Sequence, residues 1–114
     1  MMTESGQVDG IGGRVPQLPH PEQNLAMYRS LSTAIRAGIV RTAHDCSEGG
    51  LAVALAEMCI GGRLGASVDI DGTGDGDVWG RLWGESLGRF VVAVSPDNEA
   101  AFLAAMKGHP TTVL

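Results

Sequence analysis

The stretch that decides the fold is His44–Leu51, which reads HDCSEGGL. It follows a short apolar run, Ile39–Ala43, which predicts a buried strand. It precedes leucine and methionine positions at helical spacing, so it is predicted to form a strand-to-helix turn. Open sheets bind ligands at such turns, because the unpaired N–H groups of a helix N-terminus attract anions. The sequence therefore marks this turn as a candidate binding site.

Each polar or glycine position of the turn has a possible role at a phosphate. The pair Gly49 and Gly50 would let a phosphate approach the backbone closely, and Asp45 can hold Mg²⁺, which often takes one or two protein carboxylates and completes its shell with phosphate and water oxygens. Ser47 can cap the following helix or donate to a phosphate. Structural interpretations stay open: His44 as a strand-end side chain bonded to backbone, Asp45 and Ser47 as turn and cap residues, and the glycines as an aid to close helix–strand packing.

Hydrophobic periodicity and cap residues predict further elements on both sides of the turn. Helices are predicted over Glu22–Ala37, Glu48–Ile60, Val78–Trp83 and Asn98–Lys107. Ser47 is predicted to cap the second helix, and Asp97 or Ser95 the last. Gly38 is predicted to end the first helix, and Gly61–Gly62 the second. Strands are predicted over Ile39–Ala43, Ala66–Ile70, Arg89–Val94 and Thr111–Leu114. This alternation predicts an α+β fold, an α/β sandwich with a mixed sheet covered by helices.

The chain of 114 residues suffices for one domain. Glycine and proline punctuate residues 1–20, which are predicted to be a flexible lead-in, and residues 21–114 are predicted to form the domain. Its last strand stops abruptly, so we expect the domain to be incomplete at its C-terminal end. The Asp71–Asp77 stretch is rich in Gly and Asp but lacks the residue order of a calcium-binding loop, and it is interpreted as a solvated loop tip.

Charge and hydropathy exclude several classes of function. The net charge is −5 with a single lysine, Lys107, so there is no basic cluster to neutralise a nucleic-acid backbone. Apolar runs are much shorter than the roughly 20 residues of a membrane span, and no signal peptide is recognisable. We therefore expect a cytoplasmic protein that binds neither nucleic acid nor membrane, with Cys46 and Cys59 as buried free thiols.

A second informative segment is Leu82–Phe90, which reads LWGESLGRF. Glu85 and Arg89 flank the entry to the strand with the longest run of apolar residues, where Arg89 either serves a site or pairs with a nearby acid. Trp79 and Trp83 lie four positions apart and share one face of the predicted short helix. Packing in the core or at an interface is the favoured interpretation for both indoles.

At these two segments the sequence resembles the C-terminal half-domains of the family that includes aminoimidazole ribonucleotide synthetase and phosphoribosylformylglycinamidine synthase, and the match to the second enzyme is close. The resemblance covers Asn24–Val94, with the blocks in the family's order and spacing. These blocks are the His-Asp-x-Ser-acid-Gly-Gly-Leu turn at His44–Leu51, the ALAEM helix at Ala54–Met58, the GGRLG turn at Gly61–Gly65, and the ESLGRF segment at Glu85–Phe90 entering a valine-rich strand.

The resemblance implies an activity and assigns roles to residues. The synthase uses ATP to activate the formamide oxygen of formylglycinamide ribonucleotide as an iminophosphate, and glutamine-derived ammonia then displaces the phosphate to give formylglycinamidine ribonucleotide in de novo purine synthesis. By residue match, Asp45 falls on a Mg²⁺ ligand and Ser47 on a nucleotide contact, with His44, Gly49 and Gly50 around the same nucleotide. That nucleotide is either catalytic or structural.

The resemblance also implies partners. A C-terminal half-domain of this kind pairs with an N-terminal ATP-binding half-domain, and a glutaminase domain or subunit supplies the ammonia. The chain is therefore expected to be a fragment that is inactive alone and that self-associates through surface normally covered by its partner. The alternative is a non-catalytic domain of the same fold that binds a nucleotide or a partner subunit.

Overall fold

The structure, a computed structural model, describes residues 18–74 and 76–114. Most of the predicted lead-in over residues 1–20 lies outside these ranges. The elements in chain order are α1 (Pro21–Arg36), β1 (Thr42–Asp45), α2 (Gly50–Gly62), α3 (Val78–Trp83), β2 (Phe90–Ala93), a 3₁₀ turn (Pro96–Asn98) and α4 (Glu99–Ala105). Helices around a small sheet confirm the α+β class.

The sheet of the described residues is a two-stranded antiparallel ladder rather than the larger mixed sheet that was predicted. β1 and β2 pair from Thr42 opposite Ala93 to Asp45 opposite Phe90. The ladder brings the end of β1 beside the start of β2, so the two segments that stand out in the sequence meet at one end of the sheet.

The first predicted strand begins three residues later than expected. Residue Ile39 belongs instead to the end of α1, since its N–H donates to the carbonyl of Ala34 at 3.1 Å and the N–H of Gly38 donates to that of Ile35. This closing pattern satisfies carbonyls that the helix itself cannot pair. Gly38 ends α1 as predicted, with φ of 75°, and the chain becomes free to pair as a strand only at Thr42.

Two predicted strands are absent from the ladder of the described residues. Ala66–Ile70 and Thr111–Leu114 have no regular backbone pairing, although Thr112 donates through its hydroxyl to the carbonyl of Gly72 at 3.1 Å. Alternation in sequence identifies which side chains face inward, and Ile70 and Leu114 do pack against the core. A strand also needs a neighbouring backbone, and the period of the sequence carries no information about that neighbour.

The ends of two helices differ from the prediction. α2 runs through Gly61–Gly62 and ends only at Arg63, which adopts the left-handed conformation with φ of 53°. The last helix, α4, begins one residue later and ends two residues earlier than predicted. A 3₁₀ turn precedes it, Asp97 lies inside that turn, and Ser95 makes no side-chain cap. The short helix α3 has the predicted bounds, and Asp77 caps it by accepting from the N–H of Gly80 at 2.8 Å.

The core is small and lies where β1, β2 and α2 meet. Its main cluster is formed by Cys46, Leu51, Ala54 and Val91, each less than a tenth exposed, and Leu31, Ala34 and Met106 are buried as well. Cys46 is a buried free thiol as predicted, whereas the free thiol of Cys59 is only half-buried. The core thus fixes α2 on the sheet through its first turns, next to the candidate site.

Several large apolar side chains face solvent. Trp79 and Trp83 are 69% and 47% exposed, so core packing of these indoles is excluded and interface packing stays open. On α1, Leu25 and Ile35 are also about half exposed, although their spacing marked them as an inward face. No helix within residues 18–74 and 76–114 is long and apolar enough to cross a bilayer.

Gly50 is required by the packing of α2 against α3. A Cβ at this position would lie 2.7 Å from the carbonyl oxygen of Gly84 and 2.9 Å from that of Leu82, and the residue has φ of +64°. Backbone atoms at that distance cannot move aside as a flexible side chain would. Only glycine allows the first turn of α2 to reach the end of α3.

We predict that Gly50→Ala lowers the free energy of unfolding by about 2 to 4 kcal/mol, the combined cost of overpacking and of a left-handed alanine. The matched control is Gly61→Ala in the same helix, where a Cβ meets nothing within 4 Å. That control should be neutral or stabilising by up to about 1 kcal/mol. Urea unfolding followed by circular dichroism measures both, and an unchanged Gly50→Ala midpoint would contradict the packing argument.

Candidate functional site

The predicted turn lies at the junction of β1 and α2. The ladder continues one residue past β1, because the N–H of Cys46 donates to the carbonyl of Arg89 at 2.9 Å. The chain then turns over Ser47–Gly49, and α2 begins at Gly50. The turn is therefore held by the sheet on one side and by the buried first turn of α2 on the other.

A hydrogen bond joins the two sequence segments that were singled out separately. The carboxylate of Glu85 accepts from the N–H of Gly49 at 2.9 Å. This places a negative charge at the N-terminal end of α2, which is favourable because the helix dipole is positive there. No local sequence pattern signals this contact, since the two residues lie 36 positions apart.

Between the two segments lies an open groove of about 420 Å³. One wall comes from Asp45–Glu48, the other from Glu85–Phe90, and Tyr28 of α1 closes one side. The Tyr28 and Phe90 rings pack edge to face with their centroids 5.8 Å apart. Aromatic pairs of this geometry are favourable, so α1 is held against the strand that carries the second wall.

Asp45 and Ser47 form a hydrogen-bonded pair in the groove. The Ser47 hydroxyl donates to Oδ2 of Asp45, and this bond is the main reason why the pKa of Asp45 lies below its usual value. The Asp45 side chain is 61% exposed. The pair thus presents an ionised carboxylate to solvent at the end of β1.

The predicted capping role of Ser47 is wrong. The residue before α2 is Gly49, in the left-handed conformation with φ of 82°, and the Ser47 hydroxyl bonds to Asp45 and not to the helix. The helix begins two residues later than predicted, which moves Ser47 out of reach as a cap. Its hydroxyl is used by Asp45 instead.

His44 connects β1 to α2 through both ring nitrogens. Nδ1 donates to the backbone carbonyl of Asp45 at 2.6 Å, and Nε2 donates to the Glu57 carboxylate at 2.5 Å. Two acceptors require both nitrogens to be protonated, and the pKa of His44 is raised, first by the bond to the Asp45 carbonyl and then by the bond to Glu57. The interpretation of His44 as a strand-end side chain bonded to backbone is thus confirmed. Glu57 is a second partner that the sequence did not predict.

The structure brings only part of the predicted site into the groove. Of the predicted site residues, Asp45 and Ser47 line the groove in the described part of the chain, whereas His44, Gly49 and Gly50 do not. The packing of Gly50 against α3 and the bond from Gly49 to Glu85 supply structural reasons for both glycines. Whether a phosphate reaches them stays a prediction.

The charges of the groove determine what it can bind. Among the described residues, its lining includes the acids Asp45, Glu48 and Glu85 and the cation Arg89. Among residues 18–74 and 76–114, no three His, Cys, Asp or Glu side chains converge as a metal site. Asp45 therefore fits Mg²⁺ as one ligand only, with the other oxygens brought by a phosphate group and water.

Comparison with known proteins identifies the family of the chain. Residues 2–113 match the family described as AIR synthase related protein, C-terminal domain. The chain belongs to this family. The AIR synthase-related C-terminal domain thus accounts for nearly the whole sequence, including both walls of the groove.

Similar proteins of this family share one name, phosphoribosylformylglycinamidine synthase subunit PurL. The protein of Deinococcus radiodurans is 48% identical over 123 residues, covering 97% of this chain and 16% of the relative. Those of Thermobifida fusca and Synechocystis sp. are 43% and 40% identical over 102 and 99 residues, covering 88% and 87% of this chain. The chain spans only 13% of the length of each of these two.

We predict that the stability contributed by His44 depends on pH. Because its pKa in the folded chain is raised above the usual 6.5, the contribution is fully present below about pH 6.5 and is lost as the pH rises through the folded-state pKa. Thermal melts of wild type and His44→Gln should differ most near pH 6 and least near pH 9. A gap that is constant or widens with pH would show that the protonated ring is not the stabilising form.

Proposed function

We propose that the chain is the part of a phosphoribosylformylglycinamidine synthase that contributes Asp45 and Ser47 to a Mg²⁺-nucleotide site. The observation that carries the proposal is the position of this pair in the groove, on the turn through which the chain resembles the synthase. Relatives that are 40–48% identical bear the name of this enzyme's subunit. The parent activity would be the ATP-dependent ligation of ammonia to formylglycinamide ribonucleotide.

The acidity of the groove supports a metal-bound nucleotide over a free one. Free phosphate oxygens approaching Asp45, Glu48 and Glu85 would be repelled, and Arg89 offsets only one of the three charges. A divalent cation between phosphate and carboxylate reverses this repulsion. Asp45 is the carboxylate that fits this role, because the Ser47 bond to Oδ2 keeps it ionised, and its side chain is 61% exposed although Oδ1 lies 3.4 Å from Nδ1 of His44.

Ser47 would serve this site by orienting Asp45. Its hydroxyl proton is committed to Oδ2 of Asp45, while its oxygen lone pairs remain available. A direct bond from the hydroxyl to a phosphate would require that the proton leave Asp45.

The proposal assigns nucleotide binding, and not turnover, to this chain alone. A chain that spans 13–16% of its relatives is expected to leave ATP positioning and ammonia supply to other parts of the enzyme. The names of the relatives describe them as subunits. By resemblance, the partners would be an N-terminal ATP-binding half-domain and a glutaminase domain or subunit.

We predict that millimolar MgADP raises the melting temperature of the chain and that Asp45→Asn removes most of this rise, because an amide is a poorer ligand for Mg²⁺ than a carboxylate. A tenfold loss of affinity corresponds to about 1.4 kcal/mol of ligand stabilisation. Asp97→Asn, which removes the same charge from the 3₁₀ turn, is the matched control and should behave as wild type. Full stabilisation of Asp45→Asn by MgADP would refute the assignment, and no stabilisation of the wild type would refute the nucleotide site.

Self-association is a second prediction, supported by the exposed indoles of α3. Trp79 and Trp83 expose apolar surface to solvent, and burying such surface between two copies of the chain favours association. Sedimentation should show a dimer or larger species at high concentration, and replacing both Trp79 and Trp83 by serine should shift it towards monomer. Leu103→Ser, at a comparably exposed position on α4, is the control, and a wild-type chain that sediments as a monomer would contradict the prediction.

A further inference from the structure

Glu57 lies outside the groove but is connected to it through His44. Its carboxylate accepts from Nε2 of His44 at 2.5 Å, and Nδ1 of the same ring donates to the carbonyl of Asp45 at 2.6 Å. The carboxyl group of Asp45 is itself held by the Ser47 hydroxyl. Two hydrogen bonds thus link the second turn of α2 to Asp45, and a third, from Ser47, holds the carboxylate that faces the groove.

The two ends of this connection differ in how firmly they are held. Glu57 stands one turn after Ala54, which is only 1% exposed in the core, so its backbone is fixed by packing. Asp45 is the last residue of β1 and occupies the final pair of the ladder, opposite Phe90. Its neighbour Cys46 is buried and bonded to Arg89, which holds the backbone, but the Asp45 side chain is 61% exposed, so packing does little to restrict its carboxylate. A link from the packed helix to the strand end would therefore restrict Asp45.

We propose that Glu57 is a positioning residue for Mg²⁺-nucleotide binding, which acts by fixing His44 and, through it, the peptide of Asp45. The inference rests on the proposed function, in which Asp45 is the metal ligand. The His44 ring cannot turn about its side-chain bonds without breaking both hydrogen bonds. Partners that orient a ligand residue from outside the metal shell commonly change metal affinity by about 10–100-fold when they are removed.

Two substitutions separate positioning from simple loss of a charge. Glu57→Gln keeps a polar group in place, because its amide can donate to a neutral Nε2 while Nδ1–H still donates to Asp45. Glu57→Ala removes the link altogether. Glu99→Ala removes one carboxylate from the first turn of α4 and controls for net charge.

The experiment measures the dissociation constant of ADP by calorimetry, with excess Mg²⁺ and with EDTA, at a temperature where every variant is folded. The readout is the factor by which Mg²⁺ tightens ADP binding. If the role of Glu57 is only structural, its loss weakens ADP binding equally with Mg²⁺ and with EDTA. If Glu57 positions Asp45, its loss reduces only the factor by which Mg²⁺ tightens ADP binding. Wild type and Glu99→Ala should show the same factor.

In Glu57→Ala, we expect the factor by which Mg²⁺ tightens ADP binding to fall about tenfold. In Glu57→Gln, we expect this factor to stay within about twofold of wild type. An unchanged factor in Glu57→Ala, with wild type responding to Mg²⁺, would overturn the positioning role and leave the proposed function intact. Equal loss in Glu57→Gln and Glu57→Ala would also overturn it, since charge alone would then explain the effect. A wild type whose ADP binding does not respond to Mg²⁺ would overturn both the role of Asp45 and this inference.

Discussion

The rest of the structure depends on the close contact between Gly50 and the backbone of Leu82–Gly84. At this point a side chain as small as a methyl group would collide with carbonyl oxygens. The contact fixes the start of α2 against the end of α3, and α3 leads directly into the segment that forms the second wall of the groove. The distance between the two walls is therefore set by backbone contact, which is stiffer than contact between flexible side chains.

The hydrogen bond from Gly49 to Glu85 completes this arrangement with an electrostatic component. It satisfies one of the N–H groups that a helix start leaves unpaired. It also adds to the acidity of a groove that has one arginine among its lining residues. An acidic groove discriminates against free anions, so selectivity for a metal-bound ligand would arise from the fold itself and not from a dedicated cage of metal ligands.

The sequence predicted those features that depend on local pattern. The apolar spacing and proline of α1, the run of valines in β2, the short helix α3 and the strand-to-helix turn at His44–Leu51 were all recognisable. The residues singled out at the turn include the Asp45–Ser47 pair that lines the groove. Membership of the AIR synthase-related family is confirmed by the match over residues 2–113. The resemblance to this family suggested a Mg²⁺-bound nucleotide as the ligand, which composition alone left open.

The features that could not be predicted depend on partners distant in sequence. Alternating residues at Ala66–Ile70 mark an inward face, but a strand forms only where another backbone lies alongside. Ser47 has the chemistry of a cap, yet the left-handed conformation of Gly49 shifts the helix start and gives its hydroxyl to Asp45. The contact between His44 and Glu57 joins a strand to a helix, and nothing in either local pattern specifies it.

The ladder between β1 and β2 has a consequence for how the chain folds. It pairs residues that lie 45 to 51 positions apart, so a long loop must close before any of its hydrogen bonds can form, and loop closure of this kind slows folding. Helices α1 and α2 can begin to form locally, but the groove needs both strands in register. The groove therefore exists only in the fully folded chain, and partly folded intermediates present helices without it.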